Sequence, residues 1–131
     1  MKKVFVNGTF DLLHEGHIAL INYAKSLGDE VNVAIDSDDR VKRLKGESRP
    51  INSQTERSTL LINLKAVDNV YIFDTDEELE YLVSLHDVMV KGSDYKDKPI
   101  IGQDVCKELV FFDRIDGYST TQKIQDIADR G

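Results

Sequence analysis

Short apolar runs alternate along the chain with longer stretches in which apolar residues recur every three or four positions. Val4–Val6 reads as a first strand, and Ile18, Leu20, Ile21, Ala24 and Leu27 then trace a helical apolar face that stops at Gly28. Val31–Ile35 predicts a second strand, whose end turns polar at Asp36-Ser-Asp-Asp39. Ser53-Gln-Thr-Glu56 has the form of a capping box, so a helix is expected there, carrying Leu60, Leu61, Leu64 and Val67 inward. Val70–Phe73 predicts a third strand, Glu77–Leu85 a helix, Val88–Val90 a fourth strand and Leu109–Phe112 a fifth. Ser119-Thr-Thr-Gln122 is a second capping box, opening a C-terminal helix with Ile124, Ile127 and Ala128 on its buried side.

Strands alternating with helices are the pattern of a parallel sheet covered on both faces. The expected fold is therefore α/β, a Rossmann-like doubly wound five-stranded parallel sheet with helices on both faces. Lys42 to Asn52 departs from the pattern: it is basic, holds Gly46 and Pro50, and is poor in apolar residues. It reads as a mobile loop, a lid over a bound anion. In open sheets of this kind ligands sit at the carboxyl ends of the strands, where strand order reverses. Gly8–His17, Asp36, Lys91–Tyr95 and Gly117–Thr121 all follow strands, so they can meet at that one edge.

Length and charge narrow the picture. The 131 residues suit one domain, 1–131, without room for a second catalytic module. Lys and Arg number 17 against 24 Asp and Glu, a net charge of -7, which argues against a nucleic-acid-coating protein and makes any phosphate binding local. The single cysteine, Cys106, excludes an internal disulfide or a multi-cysteine zinc site and fits a reducing compartment. No apolar run approaches the ~20 residues that cross a bilayer, and the N-terminus lacks a signal-peptide core, so a cytoplasmic protein without membrane partners is expected.

The first strand runs directly into Asn7-Gly-Thr-Phe-Asp-Leu-Leu-His-Glu-Gly-His17 and then into the first helix. Two imidazoles three residues apart at a helix start share one face, and a glycine just after a strand lets the backbone approach a ligand. Helix N-termini offer unpaired N–H groups and positive potential, so the junction suits phosphate. The competing readings of His14 and His17 are a structural helix-start pair or two metal ligands; nothing nearby supplies the third and fourth ligands of a zinc site. His86, isolated before a strand, reads as a surface or packing residue.

Gly8-Thr-Phe-Asp-Leu-Leu-His14-Glu-Gly16-His17 resembles the HxGH signature of the nucleotidyltransferase superfamily that includes the cytidylyltransferases. Lys45–Asn52, Val90–Tyr95 and Asp116–Thr121 resemble, in order and spacing, bacterial heptose 1-phosphate adenylyltransferases. Glycerol-3-phosphate cytidylyltransferases share the first motif and the Gly-x-Ser-Thr-Thr ending. The resemblance implies transfer of a nucleoside monophosphate from ATP to a heptose 1-phosphate-like sugar phosphate, with release of pyrophosphate. The alternatives are CTP with glycerol 3-phosphate, a polyol phosphate, and, in another class, a non-catalytic nucleotide-binding module. His14, Gly16, His17 and Ser119-Thr120 weigh against the last. The kinase fused to this domain in some heptose enzymes is expected to be absent.

Such a transfer needs no activated hydroxyl, because the attacking phosphate oxygen is already ionised at neutral pH. It needs alignment of two anions and stabilisation of charge at the attacked α-phosphate and departing pyrophosphate. The resemblance casts His14 and His17 as catalytic donors and Lys45 as a catalytic lysine that reaches the phosphates, with Arg49 close behind it and Lys42 and Arg43 as surface charge. Gly8, Thr9 and Phe10 match the backbone that contacts triphosphate and sugar, the Phe10 ring being core. Asp11 orients the neighbouring loop or a metal-bound phosphate, or is a helix-start cap. Gly16 belongs to the same nucleotide-binding motif.

Lys91, Gly92 and Asp94 are expected beside the base, where Asp94 or backbone carbonyls read an amino group that adenine and cytosine share. Gly117, Ser119 and Thr120 are expected on the β- and γ-phosphates. Asp36, Arg57 and Arg114 are the acceptor-side residues, an ordinary salt bridge being the other account of Arg57. Arg114 matches the cytidylyltransferases, whereas Lys45–Asn52 and Lys91–Tyr95 match the adenylyltransferases. Magnesium is expected only through the nucleotide phosphates, with no structural metal site. A homodimer is implied by the resemblance alone.

Overall fold

The central strand, β1 (Lys3–Gly8), buries Val4, Phe5 and Val6 completely, as a strand covered on both faces must. The computed structural model describes residues 1–113, in which β1 is followed by α1 (Glu15–Ser26), β2 (Glu30–Asp36), α2 (Asp38–Lys45), α3 (Gln54–Ile62), β3 (Asn69–Phe73), α4 (Asp76–Ser84), β4 (Val88–Gly92) and β5 (Leu109–Phe112). The strands stand in the order β3-β2-β1-β4-β5, every neighbouring pair parallel. From β1 the chain steps outward to β2 and β3, then crosses back to β4. The reversal between β1 and β4 opens the crevice where ligands of such sheets bind.

Alternation along β1 divides the core in two. Val4 and Val6 point into a cluster with Ile21 and Ala24 of α1 and Leu61 of α3. Phe5 points the other way, into a cluster with Ala34, Met89, and Leu79 and Val83 of α4. Helices therefore cover both faces, and the sheet is doubly wound as its pattern predicts. Short turns at Ser93–Tyr95 and Gln103–Val105 link β4 to β5 in place of a full helix.

The structure corrects three expectations. Lys42–Asn52 is not one loop: Lys42–Lys45 form the last turn of α2, and only the residues from Gly46 onward are irregular. α2 buries a single apolar residue, Val41, so it lacks an apolar face to reveal it. Its determinants are instead the Ser37 side chain, which accepts from Arg40 N, with Asp38 and Asp39 in the first turn and Lys42, Arg43 and Lys45 in the last, all complementing the helix dipole. Leu60 does not point inward; it is 44% exposed, while its neighbour Leu61 is buried. Ile18 is likewise exposed, and Tyr23 packs on the core against Phe112 with ring centroids 4.9 Å apart. The expected C-terminal helix lies outside the described residues.

Gly28 closes the α1–β2 turn where no side chain fits. A Cβ there would stand 2.7 Å from Val4 Cγ2 and 2.8 Å from the Lys2 carbonyl oxygen, and backbone cannot give way. Gly28→Ala is expected to cost about 1–3 kcal/mol, read as a lowered urea midpoint at unchanged slope. An unchanged midpoint would contradict this packing.

Candidate active site

The segment Thr9–His14 leaves β1 through two left-handed residues, Phe10 at φ 51° and Leu12 at φ 56°. Neither is glycine, so the turn is held under local strain by its surroundings, as is common where chemistry is positioned. The holding groups are Asp11 and Arg57. Asp11 is fully buried, and its two carboxylate oxygens accept from Ile51 N at 2.7 Å and Asn52 N at 2.9 Å. It thereby orients the Gly46–Ser53 loop, the first of the roles expected of it.

Arg57, 1% exposed, donates to four acceptors from four segments. Nε reaches Asn52 O at 3.0 Å, Nη1 reaches Thr9 O at 2.9 Å and Asp36 O at 2.8 Å, and Nη2 reaches Asp38 Oδ1 at 2.8 Å. The Asp38 contact is the salt bridge expected as the other account of Arg57, and the four bonds together tie β1, β2, α2 and α3. The Asp36 carboxylate pairs with Arg40 Nε at 3.1 Å, and Arg40 goes on to Asp76 at 2.7 Å. Both oxygen-rich strand ends are thus internally neutralised.

His14 and His17 come together at the start of α1. His14 caps the helix: its Nδ1 accepts from Gly16 N at 3.1 Å, and His17 Nδ1 in return accepts from His14 N at 3.3 Å. The rings stack with centroids 3.8 Å apart and planes 19° off parallel, and Phe10 meets His17 edge-on at 5.0 Å. Because each Nδ1 accepts a backbone N–H, a neutral ring carries its proton on Nε2. The two Nε2–H groups therefore belong to stacked, nearly parallel rings.

Lys45 ends α2 and extends Nζ to 3.3 Å from Thr9 Oγ1, directly after β1. Partial burial and the nearby Arg49 guanidinium push this ammonium below the ordinary lysine value, against the pull of Asp36 and Asp11. Across the β1–β4 crevice stands Lys91, 7% exposed, with Nζ 3.5 Å from Asn7 Oδ1 and 4.1 Å from the centre of the Tyr95 ring. Burial, partly offset by Asp36 and Asp94, pushes its ammonium down to about 8. Gly92 ends β4 and precedes the short turn that holds Asp94 and Tyr95.

Gly8, Thr9, His14, Gly16, His17, Lys45, Lys91, Gly92 and Asp94 therefore all belong to the carboxyl edge of the sheet or the helix ends beside it. Arg114, Gly117, Ser119 and Thr120 lie outside the described residues. Phe10 has its ring in the core, as expected. His86 is a packing residue: buried, with Nε2 2.9 Å from Asn32 Nδ2 and Nδ1 2.7 Å from Leu82 O, at the opposite end of the sheet. Sequence reasoning missed Asn7, Asp38 and Arg40; the acid-first, base-last order of α2 was the available signal. Among the described residues no group of three or more His, Cys, Asp or Glu is placed to hold a metal ion. No helix among them is long and apolar enough to cross a membrane.

The buried Lys91 ammonium sets a test. Folding disfavours its charged form, so between pH about 8 and the ordinary 10.5 the unfolded chain holds the extra proton and stability rises with pH. Below about 8 the charge is buried at a cost on the order of 3 kcal/mol. Lys91→Met should unfold at higher urea than wild type at pH 7, with the gap closing as pH passes 10. A less stable variant at pH 7 would contradict the argument.

Comparison with known proteins agrees with this geometry. The model of the cytidylyltransferase-like family matches residues 5–126. The chain is 49% identical over 129 residues to the bifunctional protein HldE of Campylobacter concisus, covering 98% of this chain and 27% of that protein. It is 47% identical over 130 residues to the HldE of Campylobacter jejuni, covering 98% of this chain and 28% of that one. The chain thus spans little more than a quarter of the length of these curated relatives. Among solved structures, the lipopolysaccharide core biosynthesis protein from Thermoplasma volcanium superposes with a TM-score of 0.72 at 26% identity, covering 88% of this chain and 99% of the other.

Proposed function

The chain belongs to the cytidylyltransferase-like family, and from that premise we propose that it is a nucleotidyltransferase acting on ATP and a sugar 1-phosphate of the heptose type. Residues 1–131 supply the nucleotidyltransferase domain in this reading, working in the cytoplasm and as a homodimer. The acceptor's phosphate oxygen attacks the α-phosphorus of ATP, a new P–O bond forms, the bond to the β-phosphate breaks, and pyrophosphate leaves with its electron pair. No proton has to be removed from the nucleophile.

The observation that carries the proposal is the stacked histidine pair at the start of α1. Its capping bonds leave a proton on Nε2 of each ring, the ring centroids are 3.8 Å apart, and in this reading the two N–H groups meet the charge that grows on the α-phosphate. Lys45 beside Thr9 and Lys91 beside Asn7 add cations on two sides of the crevice. The Gly8–Thr9 backbone approaches the triphosphate, and Lys91, Gly92 and Asp94 face the base. Gly117, Ser119 and Thr120 complete the phosphate site in this reading.

Magnesium enters on the nucleotide, where it would neutralise phosphate charge. The described residues fit that division of labour, since the carboxylates of Asp11 and Asp36 are already engaged by backbone amides and by Arg40.

Arg114 supports a second reading, CTP with glycerol 3-phosphate, because cytidylyltransferases carry an arginine there. The two segments Lys45–Asn52 and Lys91–Tyr95 outweigh that one residue in favour of ATP. A buried hydrogen-bonding site rejects a wrong base strongly, so the preference should be large. Pyrophosphate release with each of ATP and CTP, against heptose 1-phosphate and glycerol 3-phosphate, decides it: the expected activity is confined to ATP with the sugar phosphate. Activity confined to CTP with glycerol 3-phosphate would replace the leading reading by the second.

His17→Asn separates the catalytic role from the capping role. The asparagine oxygen can still accept from His14 N, but the Nε2–H donor is gone. Turnover should fall by about two to three orders of magnitude at nearly unchanged melting temperature. Wild-type turnover in this variant would remove the pair from the chemistry.

A further inference from the structure

The Gly46–Ser53 loop brings a second cation to the place Lys45 reaches. Arg49 has a side chain only 15% exposed, and its Nε stands 3.6 Å from Asp11 Oδ2, beyond hydrogen-bond reach. Nε and Nη2 are both buried without a hydrogen-bond partner among the described residues. A guanidinium is charged at every accessible pH and carries five donors in a rigid fork, so buried donors left open are costly. Asp11 offsets part of the charge as an ion pair at 3.6 Å, but it leaves these two donors without a hydrogen bond. Lys45 adds to the tension: the two cations stand close enough for Arg49 to depress the lysine. Two neighbouring cations, one with unfilled buried donors, at the exit of β1 are arranged for an anion that bridges them.

We propose that Arg49 is a phosphate-binding residue of this site, its fork and the Lys45 ammonium together clamping the phosphoryl oxygens of one bound reactant. The proposal builds on the phosphate-transfer reading above and adds a residue to it. A guanidinium fork engages two oxygens of one phosphate, which an ammonium cannot do, so charge alone does not replace it. The phosphoryl group belongs either to the triphosphate, and hence to pyrophosphate, or to the acceptor's phosphate monoester. Arg49 binds the same chemistry in both cases.

Titration calorimetry of the full chain with magnesium pyrophosphate and, separately, with glucose 1-phosphate tests this without relying on turnover. Arg49→Gln should weaken binding of one of the two anions by about tenfold or more. Its unliganded melting temperature should match or exceed that of wild type, because buried donors without hydrogen bonds are removed. Arg49→Lys should recover less than half of the loss. Weakened pyrophosphate binding assigns the clamp to the triphosphate, and weakened sugar phosphate binding assigns it to the acceptor; each supports the proposal. Unchanged affinity for both anions overturns it, as does a wild-type chain that binds neither at millimolar concentration. A lowered melting temperature with full rescue by lysine also overturns it, since that pattern marks an arginine that only anchors the loop through Asp11. The outcomes stay separate from the activity: a chain that transfers AMP normally with Arg49→Gln loses this proposal alone. A chain whose pyrophosphate binding depends on Arg49 but which transfers no nucleotide loses only the assigned reaction.

Discussion

The carboxyl edge of the sheet depends on one buried guanidinium. Arg57 takes the last carbonyls of two strand exits, Thr9 O and Asp36 O, the loop carbonyl Asn52 O, and the Asp38 carboxylate at the start of α2. Strand exits and loops leave carbonyls without partners, and burying them unpaired would be costly. A planar donor fork answers several of them from one position. Asp38 extends the tie, since its N–H donates to Gln54 Oε1 at 2.9 Å and its Oδ1 accepts from Gln54 N at 2.8 Å. The starts of α2 and α3 are thereby locked to each other and to the floor of the crevice.

That floor allows an otherwise unfavourable assembly above it. Phe10 and Leu12 sit at positive φ, Lys91 is charged although buried, and Lys45 and Arg49 repel each other. Each works against the folded state. Asp11 accepts from loop amides and Asp36 pairs with Arg40, while both carboxylates still favour the charged form of Lys45.

The strands were legible because Val31–Ile35, Val88–Val90 and Leu109–Phe112 are dense in β-branched and aromatic residues that suit a sheet. The sides of the sheet were legible as well, since helices and strands alternate. α2 was not, because eight residues with one buried apolar side chain carry no periodicity, and their charges read equally as a loop. Leu60 and Leu61 are adjacent in a nine-residue helix, and only tertiary packing decides which one turns inward. Motif residues near the chain's own helix start were placed well, because spacing alone puts His14 and His17 on one face. The backbone bonds of Arg57 were not legible, since its partners at Thr9 and Asp36 lie 48 and 21 residues away and are carbonyls, which leave no mark on a sequence.

The histidine pair shows why fold and chemistry cannot be separated at this junction. Serine or aspartate would cap α1 as well as His14 does, and a glutamine at the third helical position would return the bond that His17 makes. Neither would leave a donor on the far side of the ring. An imidazole has two nitrogens, so one can accept from a helix-end amide while the other carries a proton, and the capping bond chooses which nitrogen holds it. Stacking then fixes the second ring against the first, with the Phe10 edge behind it. Orientation of both rings therefore follows from the same contacts that start the helix.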